Sequence, residues 1–332
     1  MKKIAFVLII LSYCRVIHAQ AEVIRLEGYA QGTTYHIQYF DKKNRNLHKD
    51  IERLLKRFDA SVSTYQSTSL ISKINHNEKY GRTDDYFNAC FLRAKEIWSL
   101  TDGAFDPTVY PLVNAWGFGP EKKDKLEQVK IDSLLAFVGF DKITLTRGKV
   151  SKSDPRVSLD FNAFAQGYSV DLVSELLLSK GITSFVVEIG GEVYAHGQRD
   201  GLPWYIGLEQ PIENKTNVNP LNVIFQIENI GVATSGNYRK FTVENGVKIA
   251  HHIDPKTGKP TSNQLLSASV FTDHCITSDA LATAILVMGL DKAKLFLAEH
   301  PEIQAYLIYS DADGKYQVFI TPKLTDWIAD KQ

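Results

Sequence analysis

The sequence predicts an α+β fold with mixed, largely antiparallel sheets and helices. Strand-like and helix-like segments follow one another without the strict alternation that a parallel βαβ fold requires. Several short apolar segments flank tight turns, as in antiparallel hairpins. At 332 residues, with 44% hydrophobic and 23% charged residues, the chain can bury a large core as one unit or as two lobes. It has no G-x-G-x-x-G motif and no P-loop, which argues against a Rossmann dehydrogenase and a Walker-type NTPase.

Residues 1–19 have the pattern of a secretory signal peptide. Lys2 and Lys3 precede an apolar run that is too short to span a bilayer, and a small residue stands before Gln20. Residues 20–332 are then the exported domain. The segment that ends at Cys14 also resembles a lipobox, but bulky Tyr13 stands where such sites have a small residue. A lipid anchor is therefore the minority interpretation.

The charge and cysteine content exclude two classes of protein. The chain has 38 basic and 38 acidic residues, and the signal segment removes three basic residues and no acid, so the exported domain is close to neutral. It has no basic surplus for nucleic acid. Without Cys14, only Cys90 and Cys275 remain, and they either form a disulfide or are buried thiols. No C-x-x-C motif indicates zinc binding or redox work.

The first half of the chain begins with two strand-like segments around a Gly32-Thr33-Thr34 break. This break is either a bulge where a ligand approaches the backbone or a simple hairpin corner, and the sequence favours neither. Helical periodicity follows over three segments, of which the second has Ser69 at its N-cap. The predicted helices are 47–58, 69–75 and 88–101.

The second half alternates short strands with three helices, and its charged segment 121–134 is predicted to be a surface excursion. The predicted strands are 143–145, 149–150, 157–159, 183–189, 193–197, 204–210, 223–227, 231–236 and 267–271, with a C-terminal hairpin of 305–309 and 316–320. A helix is predicted over 169–180, a second one begins at Thr277 or Ser278, and 295–299 lie in the last. The turn at Asp311-Ala312-Asp313-Gly314 lacks the other ligands of an EF-hand, so we interpret it as a turn.

Two acidic loops are candidate ligand sites. Pro107 holds Asp106 on an extended backbone, where its carboxylate either contacts a ligand or closes an Asx-turn, the more common use. Asp160 ends a strand and precedes small residues that open a helix, a place where backbone N–H groups suit a phosphate. The adjacent Gly190 and Gly191 permit close approach of the backbone to a ligand.

The predicted helix that begins at Thr277 or Ser278 carries a candidate magnesium site. Asp279 and Thr283 are four residues apart and share one face, so they offer a carboxylate and a hydroxyl oxygen together. Mg²⁺ takes one or two such protein oxygens and keeps other positions for water and phosphate. A first-turn Asp that caps the helix, with a Thr bonded to the preceding turn, is the more common explanation of the spacing alone.

Eight motifs, in order along nearly the whole exported domain, together resemble the ApbE family of flavin transferases. They are Gly32-Thr33-Thr34-Tyr35, Ser63-Thr64-Tyr65 with Ser69 and Asn75, Asp102 to Thr108, Asp160 to Tyr168, Gly190-Gly191-Glu192, Ala233-Thr234-Ser235-Gly236, His252 to Gly258 and Ser278 to Thr283. The resemblance implies an ApbE-like, T-fold-related architecture. It also implies a Mg²⁺-dependent enzyme of the bacterial envelope that transfers FMN from FAD to a Thr or Ser hydroxyl of a target protein and releases AMP.

The resemblance also implies roles for individual residues. Metal ligands map to the carbonyl of Ala163 and to the side chains of Asp279 and Thr283. Contacts to FAD map to Gln31, Tyr65, Ala104, Phe105, Asp106, Asp160, Gln166 and Ile253. His252 is the candidate base for the acceptor hydroxyl, with Asp279 the second catalytic residue, although a structural histidine in a turn explains His252 nearly as well. Gln166 departs from the family pattern, in which Lys is usual, so one cation that could meet a phosphate is missing.

Three functions remain open at this point. The first is flavin transfer, with FAD as substrate and an acceptor protein, plausibly a subunit of an envelope redox complex, on the periplasmic side of a bacterial membrane. The second is an FAD pyrophosphatase, in which water replaces the acceptor hydroxyl and FMN and AMP are released. The third is a non-catalytic periplasmic FAD-binding protein. The intact Asp279, Thr283 and His252 argue against the third.

Overall fold

The computed structural model describes residues 23–119, 127–208, 223–236, 241–244, 247–250 and 252–329. The predicted signal peptide, Cys14 and the whole of segment 209–222 lie outside the described residues. The strands are β1 (Val23–Ala30), β2 (Thr33–Phe40), β3 (Ile143–Thr146), β4 (Lys149–Lys152), β5 (Phe185–Ile189), β6 (Glu192–His196), β7 (Trp204–Leu208), β8 (Val223–Ile227), β9 (Ile230–Gly236), β10 (Phe241–Glu244), β11 (Val247–Ala250), β12 (Leu265–Thr272), β13 (Gln304–Ser310) and β14 (Tyr316–Ile320). The helices are α1 (His48–Val62), α2 (Leu70–Asn75), α3 (Asp85–Leu100), α4 (Tyr110–Ala115), α5 (Gln128–Leu135), α6 (Ala165–Ser179), α7 (Cys275–Met288) and α8 (Leu290–Glu299).

One large antiparallel sheet organises the fold. Its eight strands lie in the order β1-β2-β5-β6-β9-β12-β13-β14, and three two-stranded sheets accompany it. Every neighbouring pair in the large sheet is antiparallel. The predicted α+β class with largely antiparallel sheets is therefore confirmed.

The hairpin of β1 and β2 decides between the two interpretations of the Gly32-Thr33-Thr34 break. Ala30 pairs directly with Thr33, so the turn has only two residues, and Gln31 and Gly32 both have positive φ, at 52° and 75°. This is the geometry of a tight turn whose twist matches the flanking strands. The break is a hairpin corner, and the bulge interpretation is wrong.

Helices α6 and α7 lie against the middle of the sheet. Helix α6 contacts β5 and β6, helix α7 contacts β9 and β12, and the two helices contact each other. The small side chains of Ala280, Ala282 and Ala284 are fully buried along α7, which lets α7 pack closely on its neighbours. The sheet and this helix pair together fix the backbone around the site described below.

Several predicted elements differ from those in the structure. Residues 157–159 do not form a strand, because the Asn75 side chain donates to the carbonyl of Leu159 at 2.8 Å and accepts from its N–H at 2.8 Å, and so replaces a strand partner. Of the predicted surface segment 121–134, residues 121–126 lie outside the described residues, and the rest includes the start of α5, which is mostly exposed and buries Ile131. Helix α6 begins at Ala165, four residues before the prediction.

The two remaining cysteines are buried free thiols, so the disulfide alternative is wrong. Burial raises the pKa of both thiols. Among the described residues, no helix has the length and apolar character needed to cross a membrane.

Candidate active site

A cavity of about 350 Å³ opens beside α7. Its wall combines the loop before α4, the loop that enters α6, the Gly190 turn between β5 and β6, the end of β9 and the segment that begins at His252. Eleven of the twelve predicted site residues line this cavity, and they come from five separate motifs of the sequence. These are Tyr65, Ala104, Phe105, Asp106, Asp160, Ala163, Gln166, His252, Ile253, Asp279 and Thr283.

Gln31 is the predicted site residue that does not line this cavity. Its side-chain amide donates to the Ser169 hydroxyl at 2.6 Å and to the Asp59 carboxylate at 3.3 Å. These contacts attach the β1–β2 turn to α6 and α1. Its assignment as an FAD contact stays a prediction from the family resemblance.

Helix α7 begins earlier than predicted, which changes the position of Asp279. The helix starts at Cys275, so Asp279 lies in the second turn and not in the first, and the predicted N-cap at Thr277 or Ser278 is wrong. The reason is a cap from another helix, because the Asp171 carboxylate accepts from the N–H groups of Cys275 and Ile276 at 2.8 and 2.9 Å. Burial raises the pKa of Asp171 to about 7.

The Asp279 carboxylate is 8% exposed and faces the start of α6. Its Oδ2 accepts a hydrogen bond from the backbone N–H of Gly167 at 3.0 Å. Burial raises the pKa of Asp279 well above its usual range, and the nearby Glu192 carboxylate raises it further. The sequence also allowed Asp279 to cap the N-terminus of α7, and this interpretation is wrong. Asp279 accepts instead from an N–H at the N-terminus of α6.

The three predicted metal ligands converge from two elements. The Thr283 hydroxyl lies one turn after Asp279 on α7, 3.5 Å from the carbonyl oxygen of Ala163 and 3.2 Å from the hydroxyl of Ser235. The set consists of a carboxylate, a hydroxyl and a carbonyl, which are the hard oxygen donors that suit Mg²⁺. The residues present therefore fit this ion. The described residues contain no group of three or more His, Cys, Asp or Glu side chains placed to hold a metal, and the predicted set needs one carboxylate only.

Acidic side chains line the cavity wall. Asp106, Asp160, Glu192 and Asp279 line it, and its described lining contains neither lysine nor arginine. Asp160 is half-buried, and its removal from water raises its pKa to about 6. A phosphate anion that enters this cavity therefore meets carboxylates.

Asp106 uses its carboxylate inside the protein. One oxygen accepts from the N–H and hydroxyl of Thr108 at 2.8 and 2.5 Å, and the other accepts from the N–H of Phe140 at 3.1 Å. The turn-closing role of Asp106 is therefore confirmed. This turn holds the backbone of Ala104 and Phe105 on the cavity wall.

The Gly190 turn lies against Gln166. A Cβ at Gly190 would lie 2.7 Å from the Gln166 side-chain nitrogen, and the φ of Gly190 is +71°. Both the close approach and the left-handed backbone need glycine here. The next residue, Gly191, donates its N–H to the Glu188 carboxylate at 2.7 Å, which fixes the turn.

The remaining predicted contacts differ in exposure. Tyr65 is 63% exposed at the cavity rim, where its ring can stack on an aromatic ligand. His252 is 7% exposed, and its carbonyl accepts from the N–H of Thr261 at 2.8 Å. Ile253 is buried with Leu112, and its place on the wall is therefore fixed by packing.

Sequence reasoning missed several residues of the wall. Glu192 was visible in the Gly190-Gly191-Glu192 motif, but the motif was interpreted through its glycines alone. Thr234 and Ser235 lie in the Ala233-Thr234-Ser235-Gly236 motif, and Asn162 lies in the motif that begins at Asp160. Asp171 had no local signal as a helix cap, because its partners lie 104 and 105 residues away.

Comparison with known proteins gives one consistent result. Residues 31–307 match the model of the ApbE family. The chain is 37% identical over 310 residues to an FAD:protein FMN transferase from Haemophilus influenzae, with 89% of each chain covered. Among solved structures, it is similar to the flavin transferase ApbE from Vibrio cholerae, at 32% identity and a TM-score of 0.83, covering 93% of this chain and 100% of that one. It is also similar to the apo form of the Pseudomonas stutzeri flavinyl transferase ApbE, at 28% identity and a TM-score of 0.84, covering 94% and 99%.

Proposed function

The chain belongs to the ApbE family, and we propose that it is a Mg²⁺-dependent FAD:protein FMN transferase. The observation that carries the magnesium requirement is the acidic cavity. Its described lining has four carboxylates and no lysine or arginine, yet the substrate is a diphosphate anion. Two unit charges 4 Å apart interact by about 4 kcal/mol at an effective dielectric constant of 20. Repulsion of that size would exclude FAD unless a cation lies between the diphosphate and the wall.

The proposed reaction exchanges one phosphorus–oxygen bond for another. The acceptor hydroxyl oxygen attacks the FMN phosphorus of FAD, the bond from that phosphorus to the bridging oxygen breaks, and AMP leaves with the bridging oxygen. The hydroxyl proton passes to a base. The product is FMN joined to Thr or Ser by a phosphodiester.

The metal would be held by the carbonyl of Ala163 and the side chains of Asp279 and Thr283. When bound, Mg²⁺ neutralises charge on the phosphate oxygens and orients the attack in line. The support for this ligand set is the convergence of three oxygen donors from two elements on one side of the cavity.

Protein side chains would position the substrate and receive the proton. Tyr65 at the rim can stack on a ring of FAD, and the Gly190 turn lets the backbone approach the diphosphate. We assign the proton to His252, because the residue lines the cavity and histidine is the side chain whose ordinary pKa lies closest to neutral pH.

The proposal extends to where the enzyme works. The signal-like pattern of residues 1–19 supports export to the periplasm, with lipidation at Cys14 as the minority alternative. The acceptor is a protein with an accessible Thr or Ser, and we propose a subunit of an envelope redox complex.

A metal-dependence assay tests the proposal. Residues 20–332 are incubated with FAD and a candidate acceptor, with Mg²⁺ or with EDTA, and AMP is measured. We expect AMP release with Mg²⁺ only, and loss of at least about 100-fold in the Asp279→Ala variant. Equal release in EDTA, or full activity of the variant, would overturn the metal assignment.

A further inference from the structure

Helices α6 and α7 cap each other at their N-termini. Neither helix has a capping side chain of its own, at Phe164 for α6 or at His274 for α7. The first N–H groups of a helix need an acceptor. Asp171 of α6 supplies both carboxylate oxygens to the first two N–H groups of α7, and Asp279 of α7 supplies one oxygen to an N–H in the first turn of α6.

Gly167 shows how closely the two helices approach at this point. A Cβ on Gly167 would lie 2.5 Å from the carbonyl oxygen of Cys275 and 2.8 Å from the Cβ of Asp279. Backbone therefore packs directly on backbone, and the helices have no space to shift toward each other. Asp171 lies one turn after Gly167, on the side that holds the start of α7.

The same helix pair, with the loop that leads into α6, carries all three predicted metal ligands. Asp279 and Thr283 lie on α7, in the turns that follow the capped N–H groups, and Ala163 lies two residues before α6. Any sliding or rotation of α7 against α6 would move a carboxylate and a hydroxyl relative to that carbonyl. The position of the α7 N-terminus therefore sets the geometry of the ligand set.

We propose that Asp171 is a positioning residue of the metal site, which sets metal affinity by fixing the N-terminus of α7 against α6. Asp171 does not line the cavity, and it is 6% exposed. It acts through Asp279 and Thr283 and touches neither metal nor FAD. This inference rests on the proposed function, because it presupposes a divalent cation at Ala163, Asp279 and Thr283.

The Asp171→Asn variant tests the role. The amide has one acceptor oxygen, so it can cap one of the two N–H groups and places its own NH₂ against the other. Residues that orient metal ligands typically change metal affinity 10- to 100-fold when they are mutated. We expect Mn²⁺, followed directly by electron paramagnetic resonance, to bind at least about 10-fold more weakly. The Mg²⁺ concentration for half-maximal AMP release should rise by the same factor, with kcat at saturating Mg²⁺ within about threefold of wild type.

Asp41→Asn is the matched control. Asp41 is also a buried carboxylate that accepts from two backbone N–H groups, those of Lys43 and Arg45, but it lies after β2 and does not line the cavity. This control should lose stability without a change in Mn²⁺ affinity. Asp171→Ser, which keeps one short acceptor, is measured in parallel and should also bind Mn²⁺ more weakly than wild type.

The outcomes separate the two levels of the proposal. If wild type binds no Mn²⁺ and releases AMP without metal, the proposed function fails. If wild type binds Mn²⁺ and either Asp171 variant binds it with unchanged affinity, the positioning role is overturned. A weakening equal to that of Asp41→Asn would also overturn it, because the effect would then report general stability.

Discussion

The Asp279 carboxylate accepts a hydrogen bond from the backbone N–H of Gly167 at 3.0 Å. This bond joins α7, which carries the predicted metal-binding side chains, to the first turn of α6, which directly follows the predicted metal-binding carbonyl of Ala163. It also gives a buried carboxylate a donor, because the N–H groups of a first helical turn have no partner within their own helix. The acidic side chain at the centre of the site is thus part of the fold as well as of the proposed chemistry.

Gly167→Ala should destabilise the protein by about 1–3 kcal/mol. The new methyl group would meet the Cys275 carbonyl and the Asp279 Cβ, neither of which is the flexible end of a side chain. Thermal unfolding of the two proteins measures the effect. Gly207→Ala is the control, because a Cβ there meets nothing within 4 Å. Equal melting temperatures for Gly167→Ala and Gly207→Ala would contradict the close packing of α6 on α7.

Thr283→Val should raise the Mg²⁺ requirement at least about 10-fold, while Thr283→Ser should stay within about threefold of wild type. Valine has the shape of threonine without the oxygen, and serine keeps the oxygen. The measurement is AMP release as a function of Mg²⁺ concentration. A valine variant with the magnesium dependence of wild type would exclude the hydroxyl as a ligand.

Asp160 should make the metal-free protein less stable as the pH rises from about 4 to about 6. The pKa of this carboxyl rises from 3.8 to about 6 on burial, so in this window the folded state holds a proton that the unfolded state has released. Unfolding therefore releases a proton, and higher pH favours it. The penalty is greatest above pH 6 and disappears below about pH 4.

Urea unfolding of wild type and Asp160→Asn across this window tests the linkage. Asparagine carries no charge, so the variant should gain stability relative to wild type as the pH rises, on the order of 1–2 kcal/mol by pH 7. Asp313→Asn, at an exposed position in the C-terminal hairpin turn, is the control. A stability difference between wild type and Asp160→Asn that does not change with pH would refute the assignment.

Gln166→Lys should lower the KM for FAD by about 3- to 10-fold, because it adds a cation to a wall whose described residues include four carboxylates and no lysine or arginine. Gln166→Met, of similar length and without charge, is the control. Steady-state kinetics at saturating Mg²⁺ measure both variants. If the Gln166→Lys and Gln166→Met variants have the same KM for FAD, position 166 does not face the diphosphate.

The sequence predicted local elements well where their signals were local. Ser69 is the N-cap of α2 as expected, and β13 and β14 form the predicted hairpin. Residues with local turn chemistry, such as Asp106 before Pro107, also behave as that chemistry implies. In each case the partners lie within a few residues, so the pattern contains the interaction.

The errors arose where a partner is distant in sequence. The start of α7 was placed too late because Thr277 and Ser278 have the composition of a cap, whereas the actual cap comes from Asp171 in another helix. Residues 157–159 have the composition of a strand, but the side chain of Asn75 takes the strand partner's place. Neither partner can be inferred from a local window.

The site shows the same division. Family motifs brought eleven of twelve predicted residues to one cavity. The absence of lysine and arginine from its described lining was not visible in the sequence, because the whole chain has equal numbers of Lys and Arg and of Asp and Glu residues. Which of those charges face the cavity is decided by the packing of the loops.

The most direct test of the central claim is the intact mass of a candidate acceptor after incubation with residues 20–332, FAD and Mg²⁺. We predict a mass increase equal to one FMN phosphodiester, with one AMP released per modified acceptor. Neither should occur in EDTA or with Asp279→Asn, which keeps an oxygen for the Gly167 N–H but removes the charge. AMP and free FMN with an unchanged acceptor mass, for every acceptor tried, would contradict the transferase and indicate a pyrophosphatase. Intact FAD would indicate a binding protein.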